Sequence, residues 1–181
     1  MSASNWSLDP SCGELRVLTG VAGPAAKMGH RLTIEIRSWR ASVRWRGTIP
    51  TAAELSADVD SLTVIKGEGG VTPLTPPERA LARSNALKSL DVKKYPRITF
   101  STEKINKISE GYRLEGTVEI HGTKRPQTVD LRIEDLGARW SIAARVALTQ
   151  SDFGVKPYSL MMGALKVADE VTIDFAGTHP A

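Results

Sequence analysis

This chain of 181 residues is poor in cysteine, histidine and aromatic residues: it has one cysteine, three histidines and 6% aromatics. A lone Cys12 closes no internal disulfide, so burial and hydrogen bonding must hold the fold, and a reducing compartment is expected. His30, His121 and His179 are dispersed, with none of the spacing that a zinc site needs, so no metal is expected. No stretch approaches the roughly 20 apolar residues of a membrane-crossing helix, and the chain is not expected to span a bilayer. The opening Met1–Asp9 lacks the basic start, apolar run and small-residue cleavage site of a secretion signal, from which a cytoplasmic location is expected.

Signatures of catalysis are missing as well. There is no Gly-x-Ser-x-Gly elbow, and Gly67-Glu68-Gly69-Gly70 lacks the Lys-Ser/Thr pair of a phosphate loop. Asp152-Phe153-Gly154 has none of the companion motifs of a kinase. Asp169 and Glu170 are adjacent, so on a strand they point to opposite faces and form no carboxylate pair. Neither a cofactor nor covalent chemistry is expected.

What the chain does have is alternation. In Tyr112–Ile120 and in Gln127–Glu134 one parity is almost wholly apolar and the other largely charged, the pattern of strands with one dry and one wet face. Similar runs place strands at Glu14–Val21, His30–Arg37, Ala41–Arg46, Glu54–Ile65, Arg97–Ile105, Gly111–Ile120, Pro126–Glu134, Arg139–Leu148 and Glu170–Phe175. One helix interrupts them. Thr75 can cap it, Pro76 suits its first turn and Glu78 completes a capping box, so it should run from Pro76 to about Leu90. Its stripe Leu81, Ser84, Leu87 and Leu90 is expected to pack on the sheet. With 41% hydrophobic and 24% charged residues, the chain reads as a single all-β domain over residues 1–181.

A sheet with one dry face must bury it, and curling into a barrel can enclose an apolar lumen. Parity assigns the inward candidates: His30, Ile34 and Ile36; Val43 and Trp45; Ile98 and Phe100; Leu114 and Val118; Leu131 and Ile133; Ile142 and Val146; Val171 and Ile173. Gly116, Ala144 and Ala41 share their phase and can supply room. The apolar stretch Ser151–Ala168 offers a lid, with Phe153, Tyr158, Leu160, Met161 and Met162 as its candidate ligand contacts.

Three segments taken in order resemble the YceI family of lipocalin-like, polyisoprenoid-binding proteins: Lys94–Thr102, Leu114–Pro126, and Ser151-Asp152-Phe153-Gly154 with Val167–Val171. Trp6–Pro10 is similar to that family's opening strand and turn. The resemblance implies an extended antiparallel barrel of about eight strands, with one or two short helices. It implies a non-catalytic protein that binds, stores or carries a long apolar ligand, such as a polyisoprenoid, an isoprenoid quinone or another lipid, often as a homodimer.

Two other functions have a footing in the sequence. Arginine and tryptophan interleave over Arg37–Arg46 as in single-stranded nucleic-acid binders. Parity separates them, however: Trp39 and Trp45 share one face, Arg40, Arg44 and Arg46 the other, and no nucleic-acid partner is expected. An enzyme acting on a small apolar substrate would need a polar group in the lumen, for which inward-phased His30 is the sole candidate.

Overall fold

The computed structural model describes residues 5–181. Its strands are β1 (Trp6–Leu8), β2 (Gly13–Ala22), β3 (His30–Ile36), β4 (Trp39–Arg46), β5 (Ile49–Asp58), β6 (Leu62–Gly69), β7 (Arg97–Ile108), β8 (Gly111–Ile120), β9 (Thr123–Asp135), β10 (Arg139–Thr149), β11 (Ser159–Leu160) and β12 (Leu165–Pro180). One α-helix, α1, spans Pro76–Ser89. All the strands join one antiparallel sheet in the order β1-β4-β5-β7-β8-β9-β10-β12-β2-β3-β6, with β11 added beside β12. The all-β expectation holds, with twelve strands in place of about eight.

This ladder has two ends, β1 and β6, yet the chain forces them together. Two residues, Arg37 and Ser38, link β3 near one end of the order to β4 near the other, and Val59–Ser61 alone link β5 to β6. Three residues reach about 10 Å at full extension, so the sheet must curl. The two reversals are bound to each other. Ser38 N–H donates to Ser61 Oγ at 3.0 Å, Ser61 Oγ–H donates to the Asp58 carbonyl at 2.7 Å, and Asp58 N–H donates to the Ser38 carbonyl at 2.9 Å. The Ser38 hydroxyl adds a bond to the Asp58 carboxylate at 2.6 Å.

That turn corrects the expected strand Glu54–Ile65. The alternation runs through the reversal at Val59–Ser61, but the two halves pair with strands far apart in the order: β5 with β4 and β7, β6 with β3. The free edge of β6 is covered by α1, whose Arg83 guanidinium donates to the Leu62 carbonyl at 2.8 Å. The helix begins as its capping box dictates, Glu78 N–H donating to Thr75 Oγ1 and Thr75 N–H to the Glu78 carboxylate.

Its orientation meets the expected stripe only in part, for Leu87 and Leu90 pack against the core. Leu81 and Leu90 are two and a half turns apart at about 3.6 residues per turn, hence on opposite sides of the helix. Leu81 and Ser84 are exposed, while the row Ala82, Asn85, Ala86, Ser89 and Leu90 faces the barrel interior.

The wall has one seam. Strand β9 pairs with β10 only over Arg132–Asp135, leaving Thr123–Leu131 without a ladder partner on that side. Pro126, which has no N–H to donate, lies in this stretch. The turn Gln150–Phe153 fills the gap from inside, its Phe153 buried with Val118, Leu148 and Val155. It is held by Ser151, which donates N–H (2.8 Å) and Oγ–H (2.5 Å) to the two carboxylate oxygens of Asp169, and by Arg125, which donates to the Asp152 carbonyl at 2.9 Å. The register break between Val167 and Val171 includes Asp169. Gly154 leaves the turn at φ 70°, a left-handed conformation that glycine adopts freely.

Two substitutions test these closures. Ser61→Ala removes one donor and one acceptor from the linked reversals and is expected to lower unfolding free energy by about 1–3 kcal/mol in urea titration. Phe153→Ala leaves a hole in the seam and should cost about 3–5 kcal/mol in the same titration; a loss below 1 kcal/mol would show that the turn is not part of the wall.

Candidate functional site

Curling leaves the interior filled at one end and hollow at the other. At the filled end β1 pairs with β4, with Trp6 stacked on His179 at 4.1 Å and tilted against Trp45 at 4.9 Å. Trp39 meets Phe175 edge-on at 5.3 Å, within a core that includes Leu8, Leu15, Ala57 and Ile142. Above this plug opens a hollow of about 590 Å³.

Its lining follows from strand parity and from the helix row. Strand β2 supplies Val17 and Thr19, β3 supplies Leu32, Ile34 and Ile36, and β12 supplies Val167, Val171 and Ile173. Across from them, α1 presents Ala82, Asn85, Ala86 and Ser89, mostly small side chains that keep the helix from filling the space, and Leu90 follows at its end. Ile98 of β7, Ile120 of β8, and Leu148, Phe153 and Val155 complete the wall. Met28, Val71, Leu81, Tyr158 and Leu160 stand at the mouth, each more than a third exposed.

The few polar groups are largely committed. His30 Nε2 lies 2.7 Å from the Thr72 carbonyl, which can only accept, so that nitrogen donates and the ring ties the loop after β6 to β3. Gly70 packs so closely on the imidazole that a Cβ there would fall 2.6 Å from Nε2. The Thr75 N–H donates to Glu78 at 2.7 Å and holds its carboxyl below the ordinary carboxylate range. Thr19 Oγ1 accepts from Leu32 N–H, and Gln150 Nε2 donates to the Ala168 carbonyl. Lys166 reaches the mouth as well. Among the described residues no group of three His, Cys, Asp or Glu side chains is placed to hold a metal ion.

Of the residues expected from parity, the hollow gathers His30, Ile34, Ile36, Ile98, Val171 and Ile173, and of those expected from the lid stretch Phe153, Tyr158 and Leu160. Others of the same phase lie outside its lining because packing fills the interior there. Leu131, Ile133 and Ile142 belong to the larger core, Val118, Phe100 and Val146 to the smaller one, and Leu114 is buried. Val43 pairs with Trp6, and Trp45 packs between Trp6 and Tyr112. Gly116 provides no room, since the Phe100 ring lies where its Cβ would project, 2.7 Å away. Within the expected lid, Phe153 is built into the wall, whereas Met161 and Met162 lie on the outer surface.

The helix row, Val17 and Thr19 were missed. A small-residue row at i, i+3, i+4 and i+7 was the legible signal for the helix; the strand residues of β2 needed the tertiary fold.

A second depression of about 700 Å³ lies outside the barrel, bordered by Ser38, Asp58, Lys94, Arg97 and Glu119. It is wide and charged, with Asp58 and Arg97 paired at 3.7 Å, and it offers an apolar ligand no shelter. Among the described residues no helix is long and apolar enough to cross a membrane.

Comparison with solved structures places the fold among known ones. BcnA of Burkholderia cenocepacia superposes with a TM-score of 0.72 at 19% identity, over 95% of this chain and 99% of that one. The YCEI protein of Campylobacter jejuni gives a TM-score of 0.62 at 14% identity, over 82% and 84%. No curated protein matches the sequence. The model of the YceI-like domain matches residues 6–178, and with nearly its whole length inside that match the chain belongs to the YceI-like family.

Proposed function

We propose that this protein binds and carries an apolar ligand, a polyisoprenoid, isoprenoid quinone or similar lipid, without acting on it chemically. The observation that supports this most is the hollow of about 590 Å³, walled by aliphatic side chains and continuous with an exposed apolar mouth. Its size lies within the roughly 300–1,000 Å³ range of small-molecule sites.

That volume also limits the ligand. At the roughly 30 Å³ that a water-sized group takes up in a liquid, about 590 Å³ admits some 20 such groups. A tail of up to about four isoprene units fits within, and a longer one must leave through the mouth. At roughly 0.8 kcal/mol per buried methylene, a fifteen-carbon tail gains about 12 kcal/mol gross, against an association cost of about 4–15 kcal/mol. Net binding therefore needs the hollow to be well filled.

The competing functions find less support. Trp39 is buried and Trp45 half-buried, so neither ring of β4 is free to stack on a base, while Arg40, Arg44 and Arg46 face solvent alone. For an enzyme, His30 is the candidate that strand parity named, and its Nε2 is occupied by a backbone carbonyl.

Organic extraction of the purified protein followed by mass spectrometry is expected to release a lipid. Protein stripped of it should take up the fluorescent probe N-phenyl-1-naphthylamine. Ala86→Trp, which pushes an indole from α1 into the hollow, should weaken that uptake roughly tenfold or more with the thermal transition retained. Absence of any extracted lipid together with no probe uptake would overturn the reading, as would full uptake by a folded Ala86→Trp variant.

A further inference from the structure

The exposed apolar side chains are gathered at one end of the molecule. Among the described residues nine large hydrophobic side chains are exposed; five stand at the mouth, and two more lie on the outer surface next to one of these in the chain. Met28, Val71, Leu81, Tyr158 and Leu160 line it, and Met161 and Met162 continue directly from Leu160. The other two, Ile49 and Leu136, sit at separate strand reversals. Four segments distant in sequence contribute to the rim, so local composition does not account for the cluster. Met162 stands free of all neighbours at 107% exposure, on a left-handed backbone (φ 56°) unusual for a residue other than glycine. A contiguous apolar patch of this kind marks an interaction surface.

Charge selects the partner. Exposed lysines alternate with the apolar residues: Lys27 beside Met28, Lys156 just before Tyr158, and Lys166 opposite Ser159 in the β11–β12 pair. None of the three takes part in an ion pair among the described residues. Of the carboxylates at this end, Glu68 is paired with Lys66 at 2.9 Å, while Glu78, held ionised by the Thr75 N–H, sets one negative charge against the three lysines. The balance of these charges is therefore positive. A second copy seated on this rim would bring like charges together, whereas an anionic lipid surface complements both the lysines and the apolar side chains between them.

We propose that the mouth docks on an anionic bilayer, its methionines and leucines at the boundary of headgroups and acyl chains and its lysines among the phosphates. This rests on reading the hollow as a lipid-binding site, and it adds a route by which the ligand passes between bilayer and hollow without crossing water. Lys166, at once in the lining and at the rim, stands where the two environments meet.

Flotation with vesicles tests the docking. The protein should bind vesicles of phosphatidylcholine and phosphatidylglycerol in equal parts, bind phosphatidylcholine alone far less, and detach as salt rises. Met162→Asp, at an exposed left-handed position that aspartate tolerates, should weaken vesicle binding about tenfold or more, as should the double change Lys27→Glu with Lys156→Glu. The double variant should still take up N-phenyl-1-naphthylamine from solution as the parent does, which separates docking from ligand binding. No flotation with the anionic vesicles, equal and salt-insensitive binding to both vesicle types, or unchanged flotation of Met162→Asp would overturn docking while leaving the carrier function intact. A sedimenting dimer that Met162→Asp dissociates would also overturn it, assigning the rim to contact between copies. Failure of the parent to take up the probe would count against the carrier reading, whatever the vesicles show.

Discussion

The linked reversals at Ser38, Asp58 and Ser61 are the constraint on which the rest of this structure depends. A twisted antiparallel sheet can lie open, and nothing in the strand order of this one joins its two ends by a ladder. Closure comes from the chain itself, through two connections too short to span an open sheet and three hydrogen bonds among their backbone and hydroxyl groups. Helix α1 then has a defined place against the unpaired edge of β6, and the hollow acquires its second wall.

Filled and hollow halves arise from the same alternation. Both carry aliphatic residues at inward positions, so pattern alone does not separate them. The difference is volume. At the closed end Trp6 meets Trp45 and Trp39 meets Phe175, and these rings fill the interior. At the open end the facing element is a helix whose inward row is mostly small, and the space between it and β2, β3 and β12 remains empty. Interiors normally pack as densely as organic crystals, so an unfilled apolar volume of this size loses contact energy for the folded chain. An apolar ligand of the kind proposed would restore those contacts.

The motif Ser151-Asp152-Phe153-Gly154 shows how a local sequence acquires its meaning from distant residues. Phe153 is buried because β9 and β10 part company above Arg132, and the turn is held because Asp169 is carried to it by an irregular stretch of β12. The seam, the turn that fills it and the carboxylate that retains it lie in three separate segments. Beyond this turn the chain passes Lys156 and Tyr158 and forms part of the mouth, so the element that seals the wall also shapes the rim.

The sequence by itself determined the all-β class, the positions of most strands, the start of α1 down to its capping residues, and the parity of nearly every inward side chain. These are short-range consequences of backbone geometry: a period of two, and the hydrogen-bonding needs of a helix terminus. It misjudged the run Glu54–Ile65, because alternation continues smoothly through a reversal that only strand pairing imposes, and it placed only half of the helix face, Leu87 and Leu90 but not Leu81 and Ser84, because a three-residue interval drifts around the axis. The tertiary structure alone decided which inward residues touch a ligand-sized space, as with Ile34 and Ile173, and which merely pack, as with Leu114 and Val118. That choice depends on the volume left between elements brought together by closure, a quantity that no single segment encodes.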